Sequence, residues 1–187
     1  MNFHDITHDD MKNGDGLRVV LWTAGCEHHC PGCQNPCTWD CQGGLPFTDW
    51  EEAEFWTWLS KPWTQGATFS GGDPLHPANR DKIGQMAVTI KERYADKDIW
   101  VYTGYELNYN ETLNEFYFVS REDDNKIFFL PWLNKIDVLV DGRFEVQTRE
   151  NDIKEHKKVL WRGSSNQRVI EVKESLKEGR IICRKGI

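Results

Sequence analysis

A short apolar run and the thiols that follow it constrain this chain more than any other feature. Residues 17–23 read Leu-Arg-Val-Val-Leu-Trp-Thr, a pattern consistent with a buried strand. Gly25 ends the run. Cys26, Cys30, Cys33, Cys37 and Cys41 then fall within sixteen residues, interleaved with Pro31, Gly32, Pro36, Gly43, Gly44 and Pro46. So much Gly and Pro predicts a loop over 25–47 rather than a regular element. A sixth cysteine, Cys183, stands alone near the end.

What those thiols can be depends on the rest of the chain. Its 187 residues suit one domain and bury enough surface to fold without disulfides. With 39% hydrophobic and 28% charged residues, the composition argues against wholesale disorder. A net charge of −7 argues against a general nucleic-acid binder, which needs clustered Lys and Arg. No stretch approaches the roughly 20 apolar residues of a membrane span. Met1 to Asp5 lack the basic and apolar regions of a signal peptide, so a cytoplasmic location is expected. Thiols stay reduced there, and six cysteines read as metal or redox ligands before they read as bridges.

Further along, Thr48 with Glu51 forms a capping box that predicts a helix over 49–60, stopped at Lys61-Pro62. A second strand at 67–70 runs straight into Gly71-Gly72-Asp73-Pro74. Ile83, Met86, Ala87, Ile90 and Tyr94 share one face of a helix predicted over 78–95. A third strand at 99–103 ends at Gly104. Further strands are expected at 136–140 and near 168–172, with a last one over 180–184. Strands alternating with helices favour a largely parallel sheet, with ligands at the carboxyl ends of its strands. The cysteine loop, the Gly-Gly turn and Thr103-Gly104 would then share one edge. Residues 105–134 are less regular and read as an insertion. The acidic run 121–126 within them reads as a solvated loop.

Cys26-x3-Cys30-x2-Cys33 is the sharp motif. Three thiolates on a short loop suit an iron–sulfur cube with one iron left open. Structural zinc wants four closed ligands, and Cys37, Cys41, His28 or His29 could supply a fourth, so zinc stays open on spacing alone. Gly71-Gly72-Asp73 has its own physical reason, since glycines allow positive φ and close backbone approach to a ligand.

These residues are more specific in context. Cys-x3-Cys-x2-Cys resembles the signature loop of the radical S-adenosylmethionine (SAM) superfamily. Asn13-Gly14-Asp15-Gly16-Leu17-Arg18, Ala24-Gly25-Cys26, Cys30-Pro31-Gly32-Cys33-Gln34-Asn35 and Thr38-Trp39 are similar to the activases of anaerobic ribonucleoside-triphosphate reductase. So are Ser70 to Pro77, Asp137 to Gly142 and Trp161 to Arg168, in the family's order. The resemblance implies a single domain over 1–187 with an α/β fold, a compact incomplete parallel β/α barrel of partial TIM-like, radical SAM type. It implies a [4Fe-4S] cluster on Cys26, Cys30 and Cys33, with SAM chelating the open iron. Gly32, Cys33, Gln34, Gly71, Gly72, Asp73 and Thr103 would bind SAM. Reductive cleavage of SAM would give a 5′-deoxyadenosyl radical that makes a glycyl radical on the large subunit of the reductase. A flavodoxin or ferredoxin would supply the electron. Asp73 replaces the superfamily's commoner Glu. Gly32 removes an aromatic contact that many members carry, and Gln34 stands where this family often has an aromatic residue.

Other candidates are read as less functional. Cys37 and Cys41 are spectator thiols on the loop, against roles as a hydrogen-atom relay, a resolving thiol or a second metal site. Cys183 is a buried or incidental thiol. His28 and His29 are solvent-facing spacers, and His76 is structural. Some of Trp50, Trp56 and Trp63 are expected in the core and at least one exposed, forming a packed or partner-facing surface. Arg162 and Arg168 contact a partner or hold the C-terminal strand. The competing functions are activation of another glycyl-radical enzyme, modification of a small molecule, and a non-catalytic zinc module. Shortness argues against the small-molecule enzyme, which needs more barrel to close around its substrate.

Overall fold

The computed structural model describes residues 1–120 and 123–186, and only the backbone of 123–125. Arg121 and Glu122 of the acidic run lie outside the described residues.

The apolar run forms β2 (Leu17–Thr23) as expected. It pairs in parallel with β4 (Thr64–Gly71), which pairs in parallel with β5 (Asp98–Tyr102), which does the same with β9 (Val138–Asp141). Antiparallel strands flank this parallel core. β1 (Asn2–Asp10) pairs with β2 and carries β3 (Leu45–Pro46) outside it, while β10 (Arg168–Glu171) turns back against β9. The order is β10-β9-β5-β4-β2-β1-β3, a seven-stranded mixed sheet.

This corrects the expected incomplete parallel β/α barrel of partial TIM-like form. A barrel needs a helical crossover after each strand, each leading to another parallel strand. The first two crossovers supply α1 (Asp49–Leu59) and α2 (Arg80–Arg93). The third holds no α-helix among the described residues. It holds a separate antiparallel sheet, β6 (Glu106–Asn110), β7 (Glu115–Ser120) and β8 (Asp123–Phe128), then a 3-10 turn at Leu133–Lys135. After β9 comes α3 (Val146–Lys154), in which only Asp152 is buried, so it covers little of the sheet. β10 then reverses direction, and α4 (Val172–Glu178) ends at Gly179 in a left-handed cap. The strand expected over 180–184 is reduced to one bridge between Cys183 and Ile170.

Strand alternation divides the sheet into two unlike faces. Val19, Leu21, Ala67, Phe69, Ile99, Val101, Leu139 and Ile170 join one core, packed with Phe55 and Leu59 of α1 and Ile83, Met86, Ala87 and Ile90 of α2. The α1 boundary follows from its capping box, which the structure contains. The opposite face presents Arg18, Thr68, Trp100 and Tyr102 from the alternate positions, with Trp100, Val138, Val140 and Val169 as a second small core.

The tryptophans meet the expectation of an exposed member, but none of the three is fully in the core. Trp50 and Trp63 are exposed, and Trp56 is half-buried against the main core. The buried indoles are Trp100 in β5 and Trp132 beside the 3-10 turn, where Gly84 of α2 leaves room for the ring.

Arg18 is fully buried on the second face. Its Nε donates to Thr68 Oγ1 at 2.7 Å, Nη2 to the Ala67 carbonyl at 2.7 Å and Nη1 to the Asp15 carbonyl at 2.8 Å. Nη2 also ion-pairs with Asp98 at 2.5 Å, and the guanidinium lies 5.4 Å from the Trp100 ring centroid. This side chain links three adjacent strands and the turn before β2. Removing one partner of such a pair strands the other. Asp98 keeps some solvent, which sets the effect at the low end of that class. Arg18→Met is expected to lower the unfolding free energy by about 3 kcal/mol in a denaturant titration, and a loss under ~1 kcal/mol would contradict the assigned role.

Candidate active site

The cysteine loop leaves β2 at Gly25, whose φ of +101° turns the chain away from the sheet. It then closes on itself. Gly25 N–H donates to the Thr38 carbonyl at 2.7 Å and Cys26 N–H to the Trp39 carbonyl at 3.0 Å. Within it, Cys30-Pro31-Gly32-Cys33 makes a tight turn, with Cys33 N–H on the Cys30 carbonyl at 3.0 Å and Gly32 at φ +72°. Pro at the second position and Gly with positive φ at the third suit a type II turn. The Cys-x2-Cys spacing thereby becomes spatial proximity. Cys30 is buried, while Cys26 and Cys33 are half-buried.

The Gly-Gly turn ends β4 directly beside this loop. A Cβ on Gly71 would lie 2.6 Å from the Thr23 backbone nitrogen, and one on Gly72 would lie 2.5 Å from the Gly25 carbonyl oxygen. Both glycines are therefore required by the neighbouring backbone. Gly72 N–H donates to Thr23 at 2.8 Å and Asp73 N–H to Gly25 at 2.7 Å. These amides are committed to the protein. The buried Asn79 adds a further tie, its Nδ2 donating to the carbonyls of Ala24 and Asp73 at 2.8 and 2.9 Å.

Asp73 is 1% exposed, and its carboxylate is surrounded by donors from the chain itself. His28 Nε2 lies 2.8 Å from Oδ2, Thr103 Oγ1 donates to the carboxylate at 2.9 Å, Gly104 N–H to Oδ2 at 2.9 Å and Leu75 N–H to Oδ1 at 2.8 Å. The expectation of His28 as a solvent-facing spacer is overturned. Its side chain is buried, because Asp73 offers a polar partner and Tyr105 an aromatic edge with ring centroids 4.6 Å apart. His29 is exposed, as expected, at φ +45° with its ring against Trp39.

The third spacer residue, Glu27, faces the smaller sheet. It accepts from Tyr105 Oη at 2.5 Å and pairs with Lys126 of β8 at 2.6 Å. Burial works against its charge, but the Lys126 and Tyr105 hydrogen bonds outweigh that and hold the carboxyl below the usual range. The second sheet is thus attached to the cysteine loop.

These parts line a cleft of about 750 Å³. Trp22, Ser70 and Tyr102 line it from the sheet, and Cys26, Cys30 and Cys33 from the loop. Gln34, Gly71, Gly72, Asp73 and Thr103 also line it. Gly32 instead turns toward Val146 at the start of α3. Phe144, Arg149, Leu160, Trp161 and Arg162 contribute from the segments after β9. Trp161 sits at φ +57°, an uncommon conformation for a bulky residue, packed edge-on to Trp100. Trp161 and Arg162 belong to a block already singled out by resemblance, whereas Phe144, Arg149 and Leu160 lie before, within and after α3 with no motif to mark them.

Burial pushes the Cys26 thiol up to about 12, with the Asp73 charge and the neighbouring Cys30 and Cys33 adding to it. The three thiols are near enough to influence one another. Among the described residues, no three Cys, His, Asp or Glu side chains are gathered to hold a single metal ion. Three soft sulfur donors spread over one loop suit a cluster, which can offer a different iron to each. Metal binding would release their protons. Tyr102 Oη is buried in the cleft without a hydrogen-bond partner.

The remaining candidates fall outside this arrangement or at its margin. Cys37 and Cys183 are exposed. Cys41 is half-buried near Gly25 and His76. Arg168 ion-pairs with buried Asp141 and donates to the Leu107 carbonyl at 2.8 Å, so it holds β10. Arg162 donates to the Gln167 carbonyl at 3.0 Å at the cleft wall.

Comparison with known proteins follows the same residues. Residues 12–170 match the family described as a 4Fe-4S single cluster domain. The anaerobic ribonucleoside-triphosphate reductase-activating protein of Enterobacteria phage T4 is 38% identical over 169 residues, 90% of this chain and 93% of the relative. The proteins of that name from Escherichia coli (strain K12) and Vibrio cholerae serotype O1 are 39% and 37% identical, each over 89% of this chain and 96% of the relative. The chain belongs to the family of anaerobic ribonucleoside-triphosphate reductase-activating proteins, within the 4Fe-4S single cluster domain family.

Proposed function

We propose that this chain is a radical SAM activating enzyme that installs a glycyl radical on the large subunit of anaerobic ribonucleoside-triphosphate reductase. The observation that carries the reading is the placement of three free thiols, Cys26, Cys30 and Cys33, on one cleft in a chain of this family. In this reading they hold a [4Fe-4S] cluster and leave one iron open to the amine and carboxylate of SAM. When bound, the cluster supplies the electron that splits SAM into methionine and a 5′-deoxyadenosyl radical, the species that takes hydrogen from the partner's glycine.

The chain's own residues bind and shield. Gly71 and Gly72 bring the end of β4 against the loop and so would form the wall beside the SAM amine, while the Asp73 carboxylate is held by donors of the chain itself. Gln34 and Thr103 flank the remaining part of the ligand. Gly32 acts indirectly, by letting the loop pack on Val146. Phe144, Leu160 and Trp161 exclude water from the far side of the cleft. The reading treats residues 1–187 as one activase domain, with its cluster loop at 25–47 and an insertion over about 105–134. A cytoplasmic location and a flavodoxin or ferredoxin donor belong to the same reading. Among the described residues, no helix is long and apolar enough to cross a membrane.

Anaerobic reconstitution tests the cluster directly. The full chain is expected to hold about four iron and four sulfide, while about one zinc and no sulfide would contradict the proposal. Replacing Cys26, Cys30 or Cys33 with Ala should abolish SAM cleavage and lower the iron content. Cys37→Ala and Cys41→Ala should retain the cluster; iron loss from either would show the ligand set to be wrong. Gly72→Ala should also lose most of its iron, because the new Cβ meets the Gly25 carbonyl and forces the loop from β4. Mixing the reduced enzyme, SAM and the reductase should give a glycyl-radical doublet by electron paramagnetic resonance, and its absence with an intact cluster would remove the partner assignment.

A further inference from the structure

We infer that His28 is a positioning residue, the inner end of a buried polar pin that fixes the arch between Cys26 and Cys30 to the ends of β4 and β5. The inference deepens the proposed function and rests on it for its catalytic consequence, although the pin itself is a property of the chain.

The argument starts from Asp73. A buried carboxylate must fill its lone pairs or lose stability. Three of its donors come from the end of β5 and the turn after β4: Thr103 Oγ1, Gly104 N–H and Leu75 N–H. The fourth, His28 Nε2 at 2.8 Å, comes from the cysteine loop and is the one side-chain bond from that loop to this carboxylate. Because its partner is a carboxylate, Nε2 carries the hydrogen. Nδ1 is buried without a partner, so the ring is oriented by the Asp73 bond and by its packing.

The packing is equally restrictive. A Cβ on Gly104 would lie 2.3 Å from the His28 ring, so the imidazole occupies space that only glycine leaves open. Tyr105 meets the ring edge-on, and Arg143 Nη2 donates to the His28 carbonyl at 2.5 Å. One residue between two of the thiols is therefore held by the end of β4, the end of β5 and the segment after β9. Asp73 is the centre of the pin, which accounts for an acidic side chain after the two glycines without requiring that side chain to touch a ligand.

The test uses the full chain. In the reduced, metal-free protein, iodoacetamide labelling is followed by mass spectrometry at each cysteine, with exposed Cys183 as internal reference. His28→Leu is expected to raise the labelling rate of Cys26 and Cys30 at least about tenfold relative to Cys183, the signature of local opening. His28→Gln keeps a donor near the Nε2 position and should recover most of the protection. Thr103→Val removes another donor with little change of shape and should move the rates in the same direction, which keeps the test decisive if His28→Leu does not fold. In reconstituted protein, His28→Leu should alter the electron paramagnetic resonance line shape of the reduced cluster and raise KM for SAM more than it lowers kcat. Wild-type labelling rates and line shape in both variants would overturn the inference, as would uniform acceleration at all cysteines. Absence of a cluster in the wild type would end the proposed function while leaving the labelling result to decide the pin.

Discussion

Two main-chain hydrogen bonds, from Gly72 to Thr23 and from Asp73 to Gly25, fasten the end of β4 to the start of the cysteine loop. Much else in the site depends on them. They require backbones closer than any Cβ would allow at Gly71 or Gly72. They bring the Asp73 carboxylate beneath the loop, where His28, Thr103 and Gly104 reach it. The parallel pairing of β2 with β4 and of β4 with β5 places the three segments at the same end of the sheet, so a local turn becomes a shared floor for the thiols.

The two faces of the sheet have different tasks. One is a conventional apolar face against α1 and α2. The other carries Arg18, Thr68, Trp100 and Tyr102 in alternate positions and continues into the cleft. Arg18 is buried there with its guanidinium paired to Thr68, Ala67, Asp15 and Asp98, while Tyr102 Oη and Trp100 Nε1 stay without a hydrogen-bond partner. The cleft therefore rests on a layer that mixes a hydrogen-bonded arginine with aromatic side chains.

The sequence made some of this legible. The Leu17–Thr23 run, the Thr48–Glu51 capping box and the 3.6-residue spacing of Ile83 to Ile90 each specify one local structure, and each appears. The cysteine spacing and Gly-Gly turn marked the family, to which the chain belongs. The closure of the sheet was not legible. The direction of β10 depends on pairing with β9, and four residues carry no signal of parallel or antiparallel partnership. β1 was missed because its apolar residues are sparse and its register is broken between Phe3 and Asp5 and between Thr7 and Asp10. The burial of His28 is illegible for a related reason. A spacer between two cysteines says nothing about which side of the loop meets a buried carboxylate 45 residues later.

The claim at the centre of this account is that Cys26, Cys30 and Cys33 hold a cluster whose open iron receives SAM. The most direct measurement is 5′-deoxyadenosine released when the reconstituted, dithionite-reduced chain is incubated with SAM under argon. The account predicts product from the wild type and none from Cys30→Ala. No product from a wild-type chain carrying an intact cluster would contradict it.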